Sequence, residues 1–233
     1  MARKHQLREQ RAGTVINLTS KNQEGRLGKA LIEVAERLQR EFGLKLHHAR
    51  EWKLSGVVAR LRTLFPDVTF HYFFDSSAMR PDGGILSIRG KDGALFPVLI
   101  VEVKNQATNI LRQAEGKPPQ AKGNAIGRLG KNVIGFRTAM LNEGIVPFVC
   151  FGDGCDFAET SSILDRVVTI AMFGQLNKIH VVNEGEQGRF NRGSFFFREK
   201  EWTPKEMAAV MYEVAQRSVH YYDAKYGKAR FQE

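Results

Sequence analysis

The sequence predicts an α/β fold in which a central mixed β-sheet is flanked by helices. Three observations lead to this class: apolar residues recur at helical spacing in several segments, strand-like segments joined by a glycine turn lie between them, and one helical segment separates two apolar strands. The chain has 233 residues, 42% of them hydrophobic, which is enough for one sizeable core. We expect a flexible basic arm over residues 1–24, which lack a repeating apolar period, and a single domain over residues 25–233.

Four helices are predicted from the spacing of apolar residues. They cover residues 27–42, 50–65, 126–140 and a last segment that begins at 203. The first ends at Gly43, a residue type common just after a helix, and the second ends before Pro66. Thr203 and Glu206 have the spacing of a capping box, which marks the start of the last helix.

Strands are predicted between these helices. The segments are 68–74, 84–89, 96–103 and 146–151, with weaker strands at 179–182 and 194–197. Asp92 and Gly93 favour a hairpin turn between the second and third of these strands. Because a helical segment precedes residue 146, parallel pairing of the strands on either side of that helix is expected.

Composition limits the classes of partner. The formal net charge of +10 favours a polyanion, either nucleic acid or an anionic membrane face. No apolar run approaches the roughly 20 residues that cross a bilayer, and residues 1–13 carry no secretion signal, so an intracellular, cytoplasmic location is expected. Two cysteines in such a chain predict neither a disulfide framework nor a zinc site.

The strand predicted at 96–103 carries charges at the end of an apolar core segment. Residues 98–101 are all apolar, as in a strand buried on both faces, whereas Glu102 and Lys104 follow on a single face. The turn that starts the preceding strand contains Asp82, and the hairpin would bring this aspartate alongside Glu102. Two carboxylates, a backbone carbonyl and water form the kind of oxygen site that Mg²⁺ accepts. Beside a metal, Lys104 would orient the attacking water and stabilise charge on a phosphate.

Each part alone has an ordinary explanation. Pro81-Asp82-Gly83-Gly84 is a sequence of common turn formers, and a Glu-x-Lys pair on a strand is most often a solvated ion pair. The combination, at the end of an apolar strand and in a strongly basic chain, favours a catalytic site.

These residues resemble a known family. Pro81-Asp82-Gly83-Gly84 followed by Glu102-Val103-Lys104-Asn105-Gln106 is similar to the PD-(D/E)xK signature of EcoRI-type type II restriction endonucleases, and the likeness extends over roughly residues 76–175. The resemblance implies the restriction-endonuclease core fold, a Mg²⁺ cofactor held by Asp82, Glu102 and the Val103 carbonyl, and catalysis by Asp82, Glu102 and Lys104. It also implies a homodimer on double-stranded DNA in a prokaryotic cytoplasm.

A second segment, Gly123-Asn124-Ala125-Ile126-Gly127-Arg128, opens the third predicted helix. Helix N-termini attract phosphate, asparagine pairs with adenine in the major groove, and arginine makes forked contacts to bases. The other reading of the residues alone is a helix cap with a solvated arginine. By resemblance, Asn124, Ala125 and Arg128 read the inner AATT of the target.

Two departures from the family limit this transfer. The family has a glutamate before its arginine, where this chain has Gly127. It also has an arginine that helps read the outer base pair, two residues before the aspartate of a Leu-Asp-Arg triplet, and Ile163 stands there in this chain. We therefore expect a target whose outer base pairs differ from GAATTC or are not read, with Arg166 of the triplet supporting the inner contacts or a phosphate.

The resulting prediction is a Mg²⁺-dependent type II restriction endonuclease that cuts a palindromic AATT-centred site, with 5′ overhangs implied by the resemblance. Two alternatives remain at this point: a PD-(D/E)xK repair or junction nuclease of low sequence specificity, and an inactive sequence-specific DNA-binding protein. The Gly-Asn-Ala-x-x-Arg segment argues against the first alternative. The complete set of Asp82, Glu102 and Lys104 argues against the second.

Overall fold

In a computed structural model of the protein, one mixed β-sheet separates two groups of helices. The structure describes residues 15–105, 112, 114–118, 123–159, 161, 163–171 and 175–232, and the side chains of 15–21, 105 and 123–125 lie outside that description. The helices are α1 (Val15–Phe42), α2 (Leu54–Leu64), α3 (Gly123–Ala139), α4 (Ile163–Ile170) and α5 (Pro204–Tyr226). The strands are β1 (Leu46–Ala49), β2 (Trp52–Lys53), β3 (Ala78–Met79), β4 (Gly84–Arg89), β5 (Leu95–Asn105), β6 (Phe148–Asp153) and β7 (Ser194–Arg198).

The central sheet has the strand order β1-β4-β5-β6-β7. Pairing is antiparallel from β1 to β5 and parallel from β5 to β7, so the predicted mixed sheet is confirmed. The predicted hairpin joins β4 to β5 through Gly93, which has a positive φ of 81°. Helix α3 connects the parallel pair β5 and β6, as expected for strands that run in the same direction.

Apolar side chains fill both faces of the sheet. On one face, α1 and α5 pack against each other and against β5, where they cover Leu99 and Val101. On the other face, α2, α3 and α4 cover Ile100 and Phe148. Strand β5 is therefore buried on both sides along its apolar segment, and its charged end lies where the core stops.

Several boundaries differ from the sequence prediction. Helix α1 begins at Val15 rather than near residue 27, so residues 15–24, which we expected in a flexible arm, are helical; residues 1–14 lie outside the described residues. At position 23 of this helix the buried side chain is a glutamine, which hydrogen-bonds to the Lys104 carbonyl oxygen and to Asp153 and so adds no apolar residue to the pattern.

The prediction of a strand at 68–74 is wrong, because this segment forms no strand in the structure. Apolar residues cluster there, but Phe70 is only partly buried against the core, while Phe73 is 91% exposed and Phe74 is 70% exposed. The sheet edge is formed instead by β1, which pairs with β4 and which the histidine-containing sequence did not reveal. The weak strand at 179–182 is reduced to one bridge between Ile145 and Val182, whereas β7 confirms the one at 194–197.

The capping box before α5 is confirmed. The Thr203 hydroxyl accepts from the Glu206 backbone N–H, and the Glu206 carboxylate accepts from the Thr203 backbone N–H. None of the helices in the described part of the chain is long and apolar enough to cross a membrane.

Candidate active site

The turn before β4 depends on two glycines. A Cβ atom on Gly84 would lie 2.4 Å from His48 Nε2 and 2.6 Å from the Ala49 carbonyl oxygen, and the residue has a φ of 73°. A Cβ on Gly83 would lie 2.8 Å from Val101 Cβ. The Gly-Gly pair therefore lets the chain pass close to β1 and β5 and enter β4 directly after Asp82.

Asp82, Glu102 and Val103 direct oxygen atoms towards one cation. Lys104 Nζ lies 2.5 Å from Glu102 Oε1, 3.1 Å from the Val103 carbonyl oxygen and 3.5 Å from Asp82 Oδ2. Asp82 Oδ2 also accepts the backbone N–H of Val103 at 3.1 Å. The hairpin thus brings together the residues that the sequence predicted to share a site.

Burial differs sharply within this group. The side chain of Glu102 is 3% exposed, while that of Asp82 is partly open to solvent. Burial raises the pKa of the Glu102 carboxyl, the negative charge of Asp82 adds to this effect, and the Lys104 ammonium opposes it. For Lys104, burial disfavours the ammonium, but the charges around it, with Glu102 the strongest, outweigh this and raise its pKa. A second cation would relieve the repulsion between the two carboxylates.

The donor set fits Mg²⁺ on its chemistry. The described residues contain no group of three or more His, Cys, Asp or Glu side chains that could hold a metal. The oxygens gathered here come from two carboxylates and one backbone carbonyl. Mg²⁺ prefers oxygen ligands, retains several waters and is usually held by one or two carboxylates together with substrate phosphates. The convergence of all three oxygens on the Lys104 ammonium shows that this position favours positive charge.

Two polar residues that sequence reasoning missed support this site. Asn132, on α3, donates from Nδ2 to both carboxylate oxygens of Glu102, at 3.2 Å each. Gln23, on α1, donates to the Lys104 carbonyl oxygen at 3.3 Å and to Asp153 Oδ1 at 3.2 Å. Single amide residues within helices carry no sequence signal, and only the packing of α1 and α3 against the end of β5 reveals them.

The segment predicted to read bases lies at the start of α3. Asn124 and Ala125 belong to its first turn, and their side chains lie outside the described residues. Arg128 is exposed one turn later, and Arg166 is exposed on α4, which packs beside α3. Ile163, at the first position of α4, is 1% exposed and packs in the core under the sheet.

Comparison with known proteins places this chain in a family. The model of the family "Restriction endonuclease EcoRI" matches residues 10–229. The chain is 29% identical to type II restriction enzyme RsrI from Cereibacter sphaeroides over 193 residues, which cover 69% of this chain and 70% of the relative. It is 26% identical to type II restriction enzyme EcoRI from Escherichia coli over 204 residues, which cover 72% and 73%.

The chain therefore belongs to the EcoRI family of type II restriction endonucleases, which are site-specific deoxyribonucleases. The resemblance seen in the sequence is confirmed, and the fold is that of an EcoRI-like enzyme with a mixed sheet flanked by helices.

Proposed function

We propose that the protein is a Mg²⁺-dependent endonuclease that, as a homodimer, binds a palindromic AATT-centred site in double-stranded DNA and cuts one phosphodiester per subunit to leave 5′ overhangs. The observation that carries the proposal is the cluster of Asp82, Glu102 and Val103 oxygens around Lys104 Nζ at the end of β5. Family membership gives the class of enzyme, and this cluster supplies the groups that phosphodiester hydrolysis requires.

Asp82, Glu102 and the Val103 carbonyl would hold Mg²⁺, which when bound neutralises phosphate oxygens and lowers the pKa of water. Asn132 keeps the Glu102 carboxylate oriented through its two hydrogen bonds. The turn glycines hold Asp82 against the Val103 N–H. These contacts fix the two carboxylates before substrate arrives, as electrostatic stabilisation of a transition state requires.

Lys104 orients the attacking water and offsets the negative charge that develops on the phosphate. Its ammonium already lies among the carboxylates and retains its charge because of them. In the hydrolysis, the water oxygen forms a bond to phosphorus as the bond to the leaving oxygen breaks. The attacking water gives its proton to bulk water, and the leaving oxygen takes a proton from bulk water.

Base readout is assigned to the start of α3. Asn124, Ala125 and Arg128 would contact the inner AATT, and exposed Arg166 on the adjacent α4 would support these contacts or bind a phosphate. Ile163 occupies the position of the family's outer-base arginine and is buried in the core. Its aliphatic side chain supports a target whose outer base pairs differ from GAATTC or are not read.

The homodimer follows from the symmetry of the target. A two-fold DNA site is matched by two copies of one chain, each of which places one α3 and one cleavage site on a half-site. The net charge of +10 adds a sequence-independent attraction to the DNA backbone.

The proposal is tested by digesting DNA of mixed sequence with Mg²⁺ and sequencing the fragment ends. Uniform ends at one AATT-containing palindrome, with 5′ extensions, are expected, and they report the outer base pairs directly. Ragged ends would instead indicate a nuclease of low specificity. DNA that stays intact while it is tightly bound would indicate an inactive binding protein.

A further inference from the structure

The hydrogen bond between α3 and β5 joins two parts of the molecule that have separate proposed tasks. Asn132 Nδ2 lies 3.2 Å from Glu102 Oε1 and 3.2 Å from Glu102 Oε2, so one amide spans the whole carboxylate edge. Glu102 is buried, and Oε1 also accepts from Lys104. The orientation of the carboxylate therefore depends on a residue of α3.

Asn132 lies one helical turn beyond Arg128, a residue assigned to DNA, on the same side of α3. The two residues are four positions apart, so they share one face of the helix. Four residues span about 6 Å along the helix axis. This face carries exposed Arg128 and, one turn later, the half-buried Asn132 beside Glu102.

The apolar face of α3 makes the helix a rigid connection. Leu129, Val133 and Phe136 are buried against the sheet. Because packed side chains leave little room for independent movement, a change in the position of the first turn moves the later turns with it. Asn132 shares that movement.

We infer that Asn132 is a positioning residue that couples DNA readout by α3 to the orientation of the Glu102 carboxylate. The inference rests on the proposed function of both sites. When Asn124 and Arg128 engage the correct bases, α3 is seated so that the Asn132 amide meets both oxygens of Glu102. At an incorrect site the helix is seated less well, and the carboxylate is held less firmly for catalysis.

The first test separates DNA binding from cleavage. Asn132→Leu keeps the branching and the number of side-chain heavy atoms but removes the donor. It should bind the specific duplex with wild-type affinity in the absence of metal and lower the single-turnover cleavage rate about 10- to 100-fold, the usual effect of losing a hydrogen-bond partner of a metal ligand. Asn132→Gln retains an N–H donor and should recover part of the rate. Ile134→Ala, two residues along α3 and exposed, serves as the control for a general disturbance of the helix.

The second test is a double-mutant cycle on the cleavage rate of fully bound DNA, with Arg128→Ala, Asn132→Leu and both together. Independent residues give losses that multiply, whereas coupled residues give a double variant little slower than the slower single variant. We expect the coupled result. Multiplying losses would overturn the inference, as would an unchanged rate for Asn132→Leu.

Two further observations keep the outcomes distinct. A wild-type protein that does not cut DNA with Mg²⁺ contradicts the proposed function itself, whereas a wild-type protein that cuts while the cycle is multiplicative contradicts only the coupling. Urea unfolding of each variant identifies loss of stability. If Asn132→Leu is too unstable to measure, the same double-mutant cycle is run with Asn132→Ser. Losses that multiply would again overturn the coupling, and a double variant little slower than the slower single variant would support it.

Discussion

The carboxylate of Asp82 accepts a hydrogen bond from the backbone N–H of Val103, with Oδ2 and N 3.1 Å apart. In the β4–β5 register, Gly84 pairs with Val101, so Asp82 continues the ladder two residues further and lies opposite Val103. The Asp82 carboxylate therefore accepts the Val103 N–H at the position where the β4–β5 ladder would otherwise continue. The contact brings the aspartate next to both charged residues at the end of β5.

The turn glycine provides a test of this arrangement. Gly84→Ala should destabilise the fold by at least about 2 kcal/mol, because a side chain is strained at a positive φ and the new Cβ meets His48 and Ala49. Cleavage should be lost along with the position of Asp82. The measurements are the free energy of unfolding in urea and the cleavage rate.

Gly93→Ala is the matched control for Gly84→Ala. Gly93 also has a positive φ, of 81°, but a Cβ there has no neighbour within 4 Å. Gly93→Ala should lower the free energy of unfolding by roughly 1 kcal/mol, the cost of a non-glycine residue in the left-handed region. Cleavage should be retained. Equal effects of the two substitutions would show that close approach at Gly84 is unimportant.

Two glycines of α3 should respond in opposite directions to alanine. Gly127 is exposed with no atom within 4 Å of a Cβ, so Gly127→Ala should stabilise the protein by about 1 kcal/mol through helix propensity. A Cβ on Gly135 would lie 2.3 Å from Met79 Sδ in the core, and the overpacking, about 1 to 3 kcal/mol, should exceed that gain. The urea unfolding midpoints of the two variants measure the difference. A Gly135→Ala protein as stable as Gly127→Ala would contradict the predicted clash with Met79.

The capping box at the start of α5 should make the free energy of unfolding depend on pH in the acid range. The pKa of Glu206 is lowered to about 2, first by hydrogen bonds from the Arg198 guanidinium and then by the backbone N–H and hydroxyl of Thr203. A lowered carboxyl pKa stabilises the fold above the unfolded value of 4.5, and this stabilisation is lost as the pH falls towards 2. Because the group is exposed, the effect should be modest.

Glu206→Gln isolates this contribution. The difference in urea midpoint between wild type and variant should be greatest above about pH 5, where the carboxylate is ionised in both states, and should shrink as acid is added. A difference that stays constant down to about pH 2 would show that the ionised form of Glu206 is not what stabilises the helix start.

The hairpin and its charged end were predictable because they depend on local patterns. An apolar run ending in Glu102 and Lys104, after a turn that contains Asp82, determines both the strand pairing and the convergence of charges. The capping box at Thr203 likewise acts over three residues. The parallel pairing of β5 with β6 followed from the intervening α3.

The remaining features depend on tertiary contacts that the local sequence does not encode. Gln23 is buried because α1 packs against the ends of β5 and β6, and a polar residue gives no apolar signal for that helix. The reverse holds for Phe73 and Phe74, which are aromatic but lie outside the core. Asn132 acquires its contact only when α3 packs beside Glu102.

Lys104→Ala shows whether the cluster around Lys104 hydrolyses DNA. With Mg²⁺ and saturating enzyme, the variant should cut the specific duplex at least about 100-fold more slowly, since it lacks the cation that stabilises the transition state. Its affinity for the same duplex without metal should be retained. Lys91→Ala, at the opposite end of the β4–β5 hairpin, should match wild type in both measurements. A Lys104→Ala protein that cleaves at the wild-type rate would show that the Lys104 cluster is not the catalytic site.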